Sequence, residues 1–296
     1  MSDSFTEDDI IRRCNEATPE DILYNPEEGN KVLKLSNKLV VKFGYMLSED
    51  EARNQAKAYE ILDPEIVRVP RVHQYFMDSN KRGHIVMDFM EGIHKDSITE
   101  TSQIHDMSRI LTHFASIKSQ VPGPLAGGPS NCFLFGLSES PTFQSIEDLE
   151  AWFNIRLHDP AAKISFAGMD LVFCHLDLFP RNVLWLENQP PCILDWASAG
   201  FYPRIFERCS QLITQQPEEN KVILDECIPK SQLAQVDLMI KAWWNSIRSS
   251  FSHRTQEKIE IHIDPAELAP LYYPTPGSYL DESTPQAGHV NTHARQ

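Results

Sequence analysis

The stretch FCHLDLFPRNVLW, residues 173–185, carries the pattern HxDxxxxN through His175, Asp177 and Asn182, and the next apolar run ends in Asp195-Trp196. Apolar segments on either side, LVFCHL and VLWLE, predict two short strands, which puts the polar residues on the loop between them. PPCILDW forms a third short run that delivers Asp195 at its end. These residue types suit phosphoryl transfer. That chemistry needs a carboxylate to orient or accept the proton of an attacking hydroxyl, and oxygen ligands for the magnesium ions that bridge the phosphates. Taken singly, Asp177 could cap a loop and Asn182 could close an Asx turn. As a set in this order they single out the segment.

Upstream, NKVLKLSNKLVVKFG from Asn30 predicts a β-hairpin, two aliphatic and β-branched runs around a Ser-Asn-Lys turn. Lys42 interrupts the apolar run LVVKFG, where a lone charge is usually a solvated edge residue. Ser48 to Glu51 form an S-x-x-E start signal, and the helix formers ARNQAKAYEIL run from there to Asp63-Pro64. VRVPRVHQYF and GHIVMDFM, parted by DSNKRG, predict a second hairpin. Before all of these, the first twenty residues carry a weak helical pattern in Ile10, Ile11 and Cys14, and Ile22 to Tyr24 could begin a strand.

Past Glu91-Gly92 the pattern turns helical, with apolar residues at Ile104, Met107, Ile110, Leu111 and Phe114. VPGPLAGGPSN reads as a loop, and SIEDLEAWFNIRL as a helix started at Ser145. Further helices are expected around Phe206 to Ile213, Lys221 to Cys227 and Gln232 to Phe251. The tail from about Pro274 lacks periodic apolar residues and is expected to be disordered.

Composition narrows the function. The chain has 296 residues, 41% of them hydrophobic, and a formal net charge of -15. So acidic a surface argues against a nucleic-acid partner and would draw a cationic substrate. No apolar run approaches the length of a membrane span, and the polar, acidic N-terminus has no signal-like apolar region. A cytoplasmic location is expected. Six scattered cysteines without a CxxC pair (Cys14, Cys132, Cys174, Cys192, Cys209 and Cys227) are read as free thiols and not as a zinc site.

From about Asn30 to Phe206 the sequence resembles the eukaryotic-like kinase superfamily, most closely the aminoglycoside-phosphotransferase family, whose catalytic loop reads roughly HGDxxxxN and is followed by Asp-Trp or Asp-Phe. The resemblance implies an α+β, two-lobed protein-kinase-like fold. Residues 22–90 would form a small β-rich N-terminal lobe that binds nucleotide, and 91–272 a larger, mostly helical C-terminal lobe with the catalytic loop and acceptor site. Residues 1–21 would be an extension and 273–296 a tail. It further implies an ATP- and Mg2+-dependent phosphotransferase that moves the γ-phosphoryl group to a hydroxyl of a small molecule. By carry-over, Asp177 is the catalytic base, Asn182 and Asp195 bind magnesium, and His175 supports the loop.

Lys42 resembles the family's strand lysine, which contacts the α- and β-phosphates and is held by a helix glutamate. Glu51 is the leading candidate for that glutamate, although it could merely complete a capping box, and Gln55 lies one turn further on the same face. Met87, Asp88, Phe89 and Met90 occupy the place of the hinge that meets adenine, with core packing the ordinary role for the side chains of Met87 and Phe89. Arg181 and Arg204 read as partners in structural ion pairs, and Trp243 and Trp244 as core.

The chain departs from the family at Leu176, where glycine is common. It also lacks a glycine-rich loop and a long activation segment after Asp195. The competing reading is a catalytically silent kinase-like nucleotide-binding or scaffold protein; a metal-dependent hydrolase would need a ligand motif such as HExxH, which is absent from the sequence.

Overall fold

In a computed structural model of the protein, which describes residues 5–24, 29–136, 139–214, 228–250 and 259–260, the two expected hairpins join in one antiparallel sheet. Its strands are β1 (Ile22–Tyr24), β2 (Lys31–Lys34), β3 (Leu39–Gly44), β4 (Val72–Met77) and β5 (Gly83–Asp88), in the order β1-β2-β3-β5-β4. Alternation along β3 sends Val41 and Phe43 to one face and Val40 and Lys42 to the other. Helix α1 (Glu7–Glu16) covers the first face, packing Ile10 and Cys14 on Leu33, Val41, Phe43 and Phe76. Helix α2 (Glu49–Ile61) covers the second, with Ala52 against Val40, Ile85 and Met87. β3 therefore lies inside the sheet, and Lys42 is not a solvated edge residue. It points at α2.

The remainder combines short strands with helices α3 (Thr101–Ser116), α4 (Ile146–Asn154), α5 (Ile205–Ile213) and α6 (Lys230–Arg248). A second sheet has the order β6-β8-β11-β7, from β6 (Lys118–Ser119), β7 (Gly123–Pro124), β8 (Leu171–Cys174) and β11 (Gly200–Pro203). Here the sequence reading is corrected: part of the VPGPLAGGPSN segment is strand, because Gly123 and Pro124 pair with Phe201 and Gly200. Only glycine allows that approach, since a Cβ on Gly200 would lie 2.4 Å from Gly123 O. A hairpin of β9 (Val183–Leu184) and β10 (Cys192–Ile193) completes the strands around the motif.

β8 is buried along its whole length and divides two cores. Phe173 packs with Phe114 of α3, Val183, Ile193 and Trp196, together with Ala58 and Leu62 of α2. Val172 and Cys174 face the other way, toward Phe135, Phe153, Phe206 and Met239 of the helical side. Each fully buried aromatic ring contributes roughly 1.5–3 kcal/mol, so the loop that follows β8 hangs from a firmly packed strand.

The expected helix at Lys221 to Cys227, the whole of the tail and Cys227 fall outside the described residues. The five described cysteines are buried and free; burial pushes the Cys132 thiol up to about 12. Among the described residues no helix is long and apolar enough to cross a membrane.

Candidate active site

The loop after β8 is held from beneath by Glu207 of α5. Its buried carboxylate accepts the backbone N–H groups of His175 (Oε1) and Leu176 (Oε2, 3.1 Å). Burial pushes the Glu207 carboxyl up, against the pull of those amides. Ser210, one turn further along α5, donates its hydroxyl to Leu176 O at 2.6 Å. This grip holds Leu176 at the position where the family resemblance implied glycine. Leu176 adopts φ 65°, a left-handed conformation that costs a non-glycine residue roughly 1–2 kcal/mol. Its side chain, 3% exposed among Phe206, Cys209 and Tyr202, offsets that strain.

His175 ties the loop to the neighbouring strand. Its Nδ1 accepts from Asp177 N at 3.2 Å, so the proton sits on Nε2, which donates to Leu194 O at 3.1 Å. Burial drives the imidazole down to about 4 and keeps it neutral. Trp196 packs edge-on against the ring.

Asp177 is fixed by Asn182, whose Nδ2 donates to Asp177 O and to Oδ2, both at 2.8 Å. Arg181 reaches Oδ1 at 3.3 Å. Burial pushes the Asp177 carboxyl up to about 6, aided by the Asp195 charge and opposed by Arg181, Asn182 and Lys42. With its amide nitrogen committed to Asp177, Asn182 turns Oδ1 away from that carboxylate as its remaining acceptor. Leu194 N donates to Asn182 O at 2.9 Å, so the β9–β10 hairpin sets Asn182 beside the strand end that carries Asp195. Asp195 itself stands at φ 63° with its side chain 39% exposed.

Lys42 closes the arrangement from the sheet. Its Nζ lies 2.6 Å from Glu51 Oε1 and 3.4 Å from Asp195 Oδ1, with the Lys42 and Glu51 side chains 14% and 5% exposed. Burial disfavours the ammonium, but the Asp195 and Glu51 carboxylates outweigh it and hold the amine above its ordinary range. The same amine keeps Asp195 below its ordinary range against burial. Only the backbone half of the capping box read at the start of α2 forms: the Glu51 N–H donates to Ser48 Oγ at 3.4 Å, while the Glu51 side chain goes to Lys42. Gln55 does not compete, for its Nε2 donates to Pro70 O at 2.7 Å and meets Met87 Sδ at 3.2 Å.

Lys42, Glu51, Asp195, Asn182, Asp177 and His175 thus form one connected set. Met87, Asp88 and Met90 lie apart from it, at and just beyond the end of β5. The Met87 side chain is core. Asp88 N donates to Arg71 O and Phe89 N to Lys38 O, and the Asp88 carboxylate pairs with His73 at 2.7 Å. Among the residues set aside as structural, Arg204 donates to Leu111 O at 2.6 Å, Trp243 Nε1 donates to Phe133 O at 3.0 Å, and Arg181 pairs with Asp177.

Two residues of the arrangement escaped sequence reading. Glu207 is one; its signal was a charge set between the apolar Ile205, Phe206 and Cys209 on the inward side of α5. Asn54 is the other. Buried on α2, it donates Nδ2 toward the carbonyls of Trp196, Ala197 and Ala199 and accepts from Ala126 N, which seats α2 on the segment after Asp195. It shares a helix face with Glu51 and Gln55, a run of buried polar groups on an amphipathic helix.

Among the described residues no group of three or more His, Cys, Asp or Glu is placed to hold a metal ion unaided. Asn182 Oδ1 and the Asp195 carboxylate are hard oxygen donors on adjoining strand ends. Such a sparse set fits magnesium, which keeps waters and takes phosphate oxygens for the rest of its shell.

The profile of the phosphotransferase enzyme family (APH) matches residues 29–219. Among solved structures, that of aminoglycoside phosphotransferase APH(4)-Ia is similar at 11% identity and a TM-score of 0.53, covering 80% of this chain and 88% of that one. The apo form of a thermostable mutant of that enzyme gives 12% and 0.52 over 81% and 89%. A ternary complex of a thermostable mutant with AMP-PNP and hygromycin B gives 11% and 0.50 over 81% and 90%. No curated protein matches the chain. The structural likenesses establish a shared mixed α/β fold, and with well over half of the sequence matched by the family profile, this chain belongs to the phosphotransferase enzyme family.

Proposed function

We propose that the chain is an ATP- and magnesium-dependent kinase that transfers the γ-phosphoryl group to a hydroxyl of a small molecule. The observation that carries this reading is the single network in which Asp177 is held by Asn182 while Asp195 meets the Lys42–Glu51 pair. Residues 22–90 form the nucleotide-binding lobe and 91–272 the lobe that bears the catalytic loop and the acceptor, with the nucleotide lying between them. The amides of Asp88 and Phe89 are spent within the protein, which leaves the Met90 N–H and the carbonyls of the connector to meet adenine. Lys42, oriented by Glu51, holds the α- and β-phosphates.

Asp177 positions the acceptor hydroxyl and takes its proton. As the acceptor oxygen bonds to the γ phosphorus, the bond from phosphorus to the β–γ bridging oxygen breaks and its electron pair leaves with ADP. Magnesium, bound by Asn182 and Asp195, supplies charge neutralisation across the phosphates. The net charge of -15 favours a cationic acceptor; the hygromycin B bound by one structural neighbour is a small molecule of the class such a site could take. The test is magnesium-dependent ATP turnover by the purified protein with pooled hydroxyl-bearing metabolites. Acceptor-stimulated turnover supports the reading, and failure to bind Mg–ATP at all removes it.

Two expectations follow from the electrostatics. Replacing Lys42 by Met removes one preorganised cation and should lower kcat/KM for ATP about 10²–10³-fold, with some loss of stability because Glu51 is left buried without its partner. Steady-state kinetics against ATP concentration, read beside a melting curve, measure both; unchanged kinetics would remove Lys42 from the site. The second concerns pH. The base must be ionised, and Asp177 is held at about 6, above the ordinary carboxylate value. Activity should therefore fall on the acid side, approaching tenfold per pH unit below about 6, and level off above it. A kcat/KM profile flat between about pH 5 and 8 would exclude Asp177 as the base.

A further inference from the structure

Arg181 stands next to Asn182 in the short turn Pro180–Asn182. It reads in the sequence as half of a structural ion pair, and the structure does pair it with Asp177 at 3.3 Å. As a stabilising device the contact is poor, since the Arg181 side chain is 39% exposed and exposed pairs contribute little. As an aid to the base it works backwards, because a cation on the carboxylate weakens its hold on the proton it must accept.

Its geometry suits another task. The guanidinium lies over the Phe179 ring, 3.8 Å from the centroid. A ring face positions a guanidinium without consuming its N–H donors. A planar fork placed beside Asp177 matches the flat array of three oxygens on a phosphoryl group in transit. The charges along the site lead to the same place. Lys42 is shared between two carboxylates, Glu51 and Asp195, and Asp177 adds a third negative group at the far end of the network. Arg181 places a cation at that end, beside the carboxylate at which the acceptor must bind.

On the kinase reading above, we propose that Arg181 is a second catalytic cation, whose guanidinium engages the oxygens of the γ-phosphoryl group as it passes from ADP to the acceptor. In the resting site the guanidinium stays on Asp177 Oδ1. During transfer the acceptor O–P bond forms, the bond to the β–γ bridging oxygen breaks with its electrons going to ADP, and the hydroxyl proton goes to Asp177. Arg181 exchanges no proton and meets the charge spread over the three equatorial oxygens.

The test needs no acceptor. Isothermal titration of the full chain with Mg–ADP, and with Mg–ADP plus aluminium fluoride as a mimic of the phosphoryl group in transit, is carried out on wild type, Arg181→Met and Arg181→Lys. Arg181→Met should bind Mg–ADP as wild type does and lose about 10- to 100-fold in affinity for the aluminium fluoride complex, the effect of losing hydrogen bonds to a charged group. Arg181→Lys, which keeps the charge and loses the fork, should fall between them, and it carries the test if the Met variant does not fold. Equal affinity of all three proteins for the aluminium fluoride complex overturns the proposal. So does a parallel loss of Mg–ADP binding, since the contact would then be with resting nucleotide. Wild-type protein that binds no Mg–ADP overturns the kinase reading and this proposal together.

Discussion

Asp177→Asn should reduce phosphoryl transfer about 10²–10⁴-fold, the usual contribution of a positioned general base, while leaving Mg–ATP binding within a few-fold of wild type. The substitution is nearly isosteric. Asn182 can still donate to the new side-chain oxygen, so the loop keeps its shape, and His175 and Glu207 hold the backbone through contacts that do not involve the replaced carboxylate oxygens. Lost are the negative charge and the lone pair that takes the hydroxyl proton. Acceptor-stimulated ATP turnover, measured beside calorimetric Mg–ATP binding, separates these effects. A variant that binds nucleotide and turns over at the wild-type rate would show that Asp177 is a structural loop residue. One that loses binding as well would point to a collapsed loop, and circular dichroism would confirm it.

The largest stability effect is expected at Glu207. Replacement by Ala leaves the amides of His175 and Leu176 buried without an acceptor, and each such group costs about 1–3 kcal/mol. The relief of burying a carboxylate offsets part of this, so a net loss of about 3 kcal/mol is expected in urea unfolding. Glu207→Gln retains one acceptor oxygen and should lose about half as much. The activity loss should exceed what the fraction unfolded explains, because Leu176 stays in its left-handed conformation only while its amide, its carbonyl and its side chain are all held. An Ala variant with wild-type stability and turnover would show that the loop does not depend on α5.

Much of this was legible in the order of residues. The hairpin at β2 and β3, the start of α2 at Ser48 and the spacing of His175, Asp177 and Asn182 are local signals, and local signals survive in a linear text. The strand within VPGP was missed because Gly123–Pro124 pairs with Gly200–Phe201, some eighty residues away; no local pattern encodes a partner at that distance. Glu207 and Asn54 escaped for the same reason. Each looks like an ordinary polar helix residue until the backbone groups it satisfies are brought to it from another element.

The contest between Glu51 and Gln55 shows where the boundary lies. Both residues occupy one face of α2, one turn apart, and either could reach a lysine on the strand below. The choice depends on how α2 is seated along the sheet. That seating comes from Ser48 at the helix start, from Asn54 bound to the segment after Asp195, and from Gln55 bound to Pro70 and Met87. By itself the sequence determined the family, the order of the strands and helices around the motif, and the identity of the chemical groups, because periodicity, caps and motif spacing act over a few residues. Only the tertiary structure decided that Lys42 faces inward, that Glu51 takes it, that Glu207 holds the loop and that Arg181 stands beside the base, because these depend on contacts between residues distant in sequence or on the path of the folded backbone.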